Sequence, residues 1–131
     1  GEDLSPQLDW HTVPEGTKAF AVVCLDRDSP GHEFVHWILF NLPGDLRSLP
    51  AGVTPQTDLG EGVLWGQNSF GQNRYGGPCP PPGDEPHRYY YRVFALSVPL
   101  DLEEGITREE LDAAMKPVYL GIAKLVGKYG R

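Results

Sequence analysis

Three polar clusters interrupt stretches that otherwise read as buried strand. Asp26-Arg27-Asp28-Ser29-Pro30 follows the apolar run KAFAVVCL. His36-Trp37 lies inside a second run, FVHWILFNL. Tyr75-Gly76-Gly77-Pro78-Cys79-Pro80-Pro81-Pro82-Gly83 leads into His87-Arg88-Tyr89, where a third run, HRYYYRVFALSV, begins. Two imidazoles, two carboxylates, a phenol and a set of glycine amides are groups that together can bind a small anion. A carboxylate accepting from one imidazole nitrogen fixes its tautomer and favours the protonated form. Backbone N–H groups of a glycine-rich loop can close a nest around an anion, and prolines keep such a loop stiff, lowering the entropic cost of binding.

Each cluster also has a plainer reading. A lone histidine in a strand is ordinarily a satisfied structural residue, and Trp37 beside it faces the other way and belongs to the core. His87 at the head of a neighbouring strand shifts the balance toward a site. Two His and two Asp could also ligate zinc or iron. The string His32-Glu33-Phe34-Val35-His36 matches the H-E-x-x-H motif letter for letter. That chemistry needs two histidines one helical turn apart. Pro30-Gly31 in front and Val35, Trp37, Ile38 and Phe40 around it make the string turn and strand, where residues four apart stand roughly 13 Å from each other. No G-x-S-x-G elbow occurs, and Gly66-Gln67-Asn68-Ser69-Phe70-Gly71 lacks the Lys-Ser/Thr of a phosphate-binding P-loop.

These residues need elements to hold them. The runs Lys18–Leu25, Phe34–Leu42 and His87–Val98 predict three strong strands, rich in β-branched and aromatic residues. Leu46 to Pro86 keeps no helical period and holds seven of the 13 prolines. A loop region that long in a compact domain is usually functional. Thr107-Arg108-Glu109-Glu110 is a capping box, and Leu111, Ala114 and Met115 form one face of a short helix ending near Pro117. Val118–Tyr129 fits either a helical turn or a last strand.

The 131 residues make one domain, 1–131. Gly and Pro number 16 and 13, a surplus that excludes a helical bundle and favours a mainly β chain. The net charge of −7 argues against a nucleic-acid binder or a basic membrane-surface protein, though not against a local anion pocket. The two cysteines, Cys24 and Cys79, are too few for a disulfide scaffold or a cysteine-built zinc site, and Cys24 reads as a small buried hydrophobe. No apolar stretch reaches membrane-spanning length. No cofactor is expected. A cytoplasmic location is the expectation, with periplasmic or secreted locations left open because the sequence starts abruptly at Gly1.

In order and spacing, several short motifs resemble one family. They are D-x-D-x-P at Asp26–Pro30, H-W at His36-Trp37, N-x-P at Asn41–Pro43 and G-x-N-x-F-G at Gly66–Gly71. Y-x-G-P-x-P-P-x-G at Tyr75–Gly83, H-R-Y at His87–Tyr89 and F-A-L at Phe94–Leu96 follow. Together they resemble the phosphatidylethanolamine-binding protein family, also called Raf-kinase-inhibitor-like proteins. The opening Ser5-Pro6-x-Leu8-x-Trp10 and the closing Leu125-Val126-Gly127-x-Tyr129 look like its bacterial and archaeal branch. The resemblance implies a Greek-key β-sandwich with a large central antiparallel sheet, a small second sheet and a short C-terminal helix. It also implies that the N-terminal strand is truncated.

By matched position, the resemblance implies an anion pocket for phosphate-like or phospholipid head groups. Asp26, His36, Gly76, Gly77, Pro81, His87 and Tyr89 would line it, with Pro30 and Phe34 at its rim and Asp28, Trp37 and Arg88 in support. Asp84-Glu85 would add an acidic rim. The main expectation is therefore a non-enzymatic protein that binds a small anionic or phosphorylated ligand. A second is an inhibitor or scaffold of a kinase or hydrolase, and a third an acid–base enzyme using the His/Asp cluster, for which no nucleophile or cofactor loop is evident. A homodimer is left open.

Overall fold

The structure is a computed structural model. It describes residues 5–26, 34–69, 71 and 89–126, with Asp26, Phe34 and Tyr89 described by backbone alone. In chain order the elements are β1 (Leu8–His11), β2 (Ala19–Asp26), β3 (Phe34–Pro43), β4 (Ser48–Leu49), β5 (Leu64–Trp65), β6 (Tyr89–Leu96), α1 (Arg108–Met115) and β7 (Tyr119–Leu125). The three strong strands fall where the apolar runs predict them. The segment left open after Pro117 is a strand, β7.

The seven strands among the described residues join one antiparallel sheet in the order β4-β1-β7-β6-β2-β3-β5. Within it, β2, β3 and β5 follow one another, and β6 returns to lie beside β2, which is the Greek-key order. The two-residue β1–β4 ladder is continuous with the large sheet through β1 and β7. The chain is thus mainly β, with one short helix among the described residues.

β2 is buried from Ala19 to Leu25 because both faces of the sheet are covered there. One face carries Phe20, Val22, Cys24, Trp37, Leu39, Val93 and Ala123. Leu8, Trp10, Leu49, Val53 and Trp65 pack onto it. Trp10 meets Phe20 with ring centroids 5.5 Å apart. Their strands stand three places apart, roughly 14 Å in a flat sheet, so the sheet must curl over this face. The opposite face carries Ala19, Ala21, Val23, Leu25, Ile38 and Phe40, covered by Leu100, Ile106, Leu111 and Met115. Leu111 and Met115 are the buried face of α1. The helix starts as its capping box predicts: Glu110 N donates to Thr107 Oγ1 at 3.2 Å, and Thr107 N donates to Glu110 Oε1 at 2.9 Å.

Two irregularities in the β2–β3 ladder shape the sheet. Phe20 pairs with Leu42 but Val22 with Leu39, so β3 carries an extra residue between them. Asn41 takes the left-handed conformation there, φ 60°. Further along, Cys24 pairs with Trp37 and Leu25 with Val35, which leaves His36 as the extra residue of a second bulge.

Candidate functional site

The ladders bring Asp26, Phe34 and Tyr89 together at one end of the sheet. Asp26 pairs with Phe34 on one side and with Tyr89 on the other, so Phe34, Asp26 and Tyr89 form one row across β3, β2 and β6. His36 lies two residues into β3 from that row, and His87 two residues ahead of it in sequence. These three arrive there for a local reason: β2 ends in Asp26, β3 begins at Phe34 and β6 at Tyr89, and antiparallel pairing puts those termini side by side.

His36 is 4% exposed although it is titratable. Its place in a bulge explains how a polar side chain sits in so apolar a strand. A bulge breaks the strict in–out alternation and re-aims one side chain, and bulges are over-represented beside active sites. His36 stands on a strand, not on a helical turn, so the geometry that a zinc protease needs is absent at this residue. Trp37 is fully buried on the curled face, where its ring lies 6.3 Å from that of Trp65. Its expected core role holds.

The chain after β5 braces the beginning of β3. Gly66 N donates to Ile38 O at 2.9 Å, and Ser69 N to Val35 O at 2.8 Å. Val35 N in turn donates to Ser69 Oγ at 2.8 Å. On its other side the same segment reaches the entry to α1: Gln67 N donates to Ile106 O, and Gly105 N to Trp65 O, both at 2.8 Å. Residues 64–69 are therefore stitched between β3 and α1. A cavity of about 790 Å³ lies alongside, lined by Val35, Gln67, Asn68, Ser69, Gly71, Thr107, Arg108, Glu109 and Asp112. Arg108 Nε bridges to Asp112 across one helical turn at 3.1 Å. Asn68 and Ser69 stand within the Gly66–Gly71 motif, where the sequence alone assigns neither a role. The available signal was a pair of small polar residues between glycines that fits no nucleotide loop.

Pro30, Gly76, Gly77, Pro81, His87, Asp28 and Arg88 lie outside the described residues. Among the described residues, no three His, Cys, Asp or Glu side chains gather into a set that could hold a metal, and no helix is long and apolar enough to cross a membrane.

The model of the phosphatidylethanolamine-binding protein family matches residues 1–130. The chain belongs to the phosphatidylethanolamine-binding protein family. A UPF0098 protein of Methanothermobacter thermautotrophicus is 43% identical over 131 residues, covering 100% of this chain and 85% of its own. Two solved structures share the fold. Escherichia coli YbcL, called a new member of the mammalian family, superposes with a TM-score of 0.83 at 33% identity, over 98% of this chain and 82% of its own. Chlamydia trachomatis CT736, a homolog of the phosphatidylethanolamine-binding proteins, gives 0.79 at 32% identity over 95% and 82%. In this member of the phosphatidylethanolamine-binding protein family, Phe34, Asp26 and Tyr89 form one row across three strands, with His36 beside it.

Proposed function

We propose that this chain is a non-enzymatic binding protein whose pocket, at the β3–β2–β6 sheet end, takes a phosphate-like anion or a phospholipid head group. The observation that carries the reading is the register: Asp26, Phe34 and Tyr89 are paired neighbours, and the buried His36 is inserted at the bulge two residues away. His36 and His87 would donate to the anion, and Asp26 would orient an imidazole. Tyr89 would add a hydroxyl, Gly76, Gly77 and Pro81 would shape the wall, and Pro30 and Phe34 the rim. Asp28 and Arg88 would steady the flanking chain. Family membership, matched over residues 1–130, supports the reading.

The test is an NMR titration with inorganic phosphate and, separately, O-phosphorylethanolamine. The imidazole resonances of His36 and His87 should shift together and saturably by millimolar ligand. His36→Ala should remove the binding while leaving the methyl resonances of the core in place. Unmoved imidazoles at millimolar concentration of both ligands defeat the assignment. A shift with O-phosphorylethanolamine alone assigns the site to the head group instead of to free phosphate.

A further inference from the structure

The large hydrophobic side chains most exposed among the described residues are Val98, Tyr119, Leu120, Ile122 and Val126, all in β7 or beside it. A monomer normally scatters such residues singly. β1 pairs with β7 only at Leu125 and Lys124, and among the described residues Tyr119–Ala123 have ladder partners on the β6 side alone. The chemistry of this region lies on the face of the sheet, not at that open edge. Phe94 pairs with Ile122 and Leu96 with Tyr119, and Phe94 and Leu96 belong to the core on the side that α1 covers. Val126 N donates to Asp9 O at 2.9 Å, so the strand's alternation runs on past Leu125. Ile122, Lys124 and Val126 therefore share that face.

A row of basic groups crosses the same face. His11 pairs with Lys124. Val93 pairs with Ala123, so the next step along the two strands sets Arg92 beside Lys124. Arg92 in turn pairs with Val23, a core residue of the α1 side. Paired residues project to one face, so His11, Lys124 and Arg92 stand in line across β1, β7 and β6. His11 Nδ1 lies 2.7 Å from Thr12 Oγ1. The Arg92 guanidinium leans along its own strand over the Tyr90 ring, 5.6 Å from the centroid; Tyr90 is two residues away, so the charge stays on this face. Two cations side by side repel, and among the described residues neither is in an ion pair. A shallow depression of about 580 Å³ runs beside them, with no carboxylate among its described lining residues, in a chain with 18 acidic residues against 11 basic ones. Asp9 lies on the same face two residues before His11, and its carboxylate accepts from Gln7 Nε2 at 3.3 Å.

We propose that this face docks on a membrane surface rich in anionic phospholipid. Lys124, Arg92 and His11 would meet the lipid phosphates, and Tyr119, Ile122 and Val126 would sink among the head groups and upper acyl chains. Both parts of the strip then have a partner, since buried apolar area and attraction to anionic lipid add together in interfacial binding. A small soluble anion would leave the apolar part bare. The net charge of −7 does not oppose this contact. Attraction to a charged leaflet falls off within a Debye length, and the row that faces the leaflet is basic. The inference does not rest on the proposed anion pocket.

The test is cosedimentation with large vesicles, phosphatidylglycerol mixed with phosphatidylcholine against phosphatidylcholine alone. The chain should sediment with the anionic vesicles and stay in solution with the neutral ones. The double variant Arg92→Glu, Lys124→Glu should weaken binding by about twentyfold or more, because each cation near an anionic leaflet counts for a factor of about five. Raised salt should release the bound chain, and Ile122→Ser should weaken binding severalfold. If the double variant does not fold, a spin-labelled lipid in the anionic vesicles replaces it. The methyl resonances of Ile122 and Val126 in the unaltered chain should then broaden, and those of Thr54 and Thr57, which follow Val53 of the opposite core face, should stay sharp. Equal binding to both vesicles, undiminished binding by a folded double variant, or broadening at Thr54 and Thr57 instead overturns the proposal. So does release by excess O-phosphorylethanolamine, because the vesicles are then held at the anion pocket.

Discussion

Asn41 shows how much one side chain can do in this fold. Its left-handed backbone creates the bulge in β3, and its amide then clamps the chain after β6. Asn41 Nδ2 donates to Leu100 O at 2.9 Å, and Leu100 N donates to Asn41 Oδ1 at 2.7 Å. Asparagine is among the few residues other than glycine that tolerate this conformation. Asn41→Ala should therefore lose both bonds and strain the backbone, costing about 2–3 kcal/mol. Urea denaturation measures it, and a loss below about 0.5 kcal/mol would show the clamp to be idle. The N-x-P motif was visible in the sequence, but its reason was not. A bulge is a mismatch between two strands, and neither strand contains it alone. His36 teaches the same lesson: its polarity in an apolar run was legible, its insertion at a bulge was not.

Among the elements, the segment 64–69 joins the strand that carries His36 to the helix on the opposite face. Gly66 is placed there by closeness, not by an unusual backbone. A Cβ at this position would stand 2.5 Å from Ile38 Cγ2 and 2.8 Å from Ile38 Cβ. Ile38 is fully buried, so it has little room to give. Gly66→Ala should cost about 1–3 kcal/mol through overpacking. Thermal unfolding and the amide shifts of Val35 and Ser69 report it; an unchanged melting temperature would mean that Ile38 can move aside. The helix itself was readable, since a capping box is a local device whose two partners lie three residues apart. β7 was not: its sequence fits a turn of helix or a strand, and pairing with β6 and β1 decided the matter.

For the molecule as a whole, stability should follow the ladders. β2 is paired on both sides, to β3 and β6, and buried on both faces. Its central amides, Val22 and Val23, should exchange only through global unfolding, while those of Tyr119–Ala123 on the open half of β7 exchange earlier through local opening. Hydrogen exchange by NMR tests the order, and equal protection in β2 and the β7 edge would refute it. The sequence by itself determined the mainly β class, the three strong strands, the capped helix and the family, because each rests on local propensity or on short motifs in register. It also named the residues of the candidate pocket. The tertiary structure decided what those residues have in common. Asp26, Phe34 and Tyr89 come from three separate strands, and only long-range antiparallel pairing lays their ends in one row. The open edge of β7 was equally beyond the sequence, since an edge exists only once it is known where β1 stops pairing.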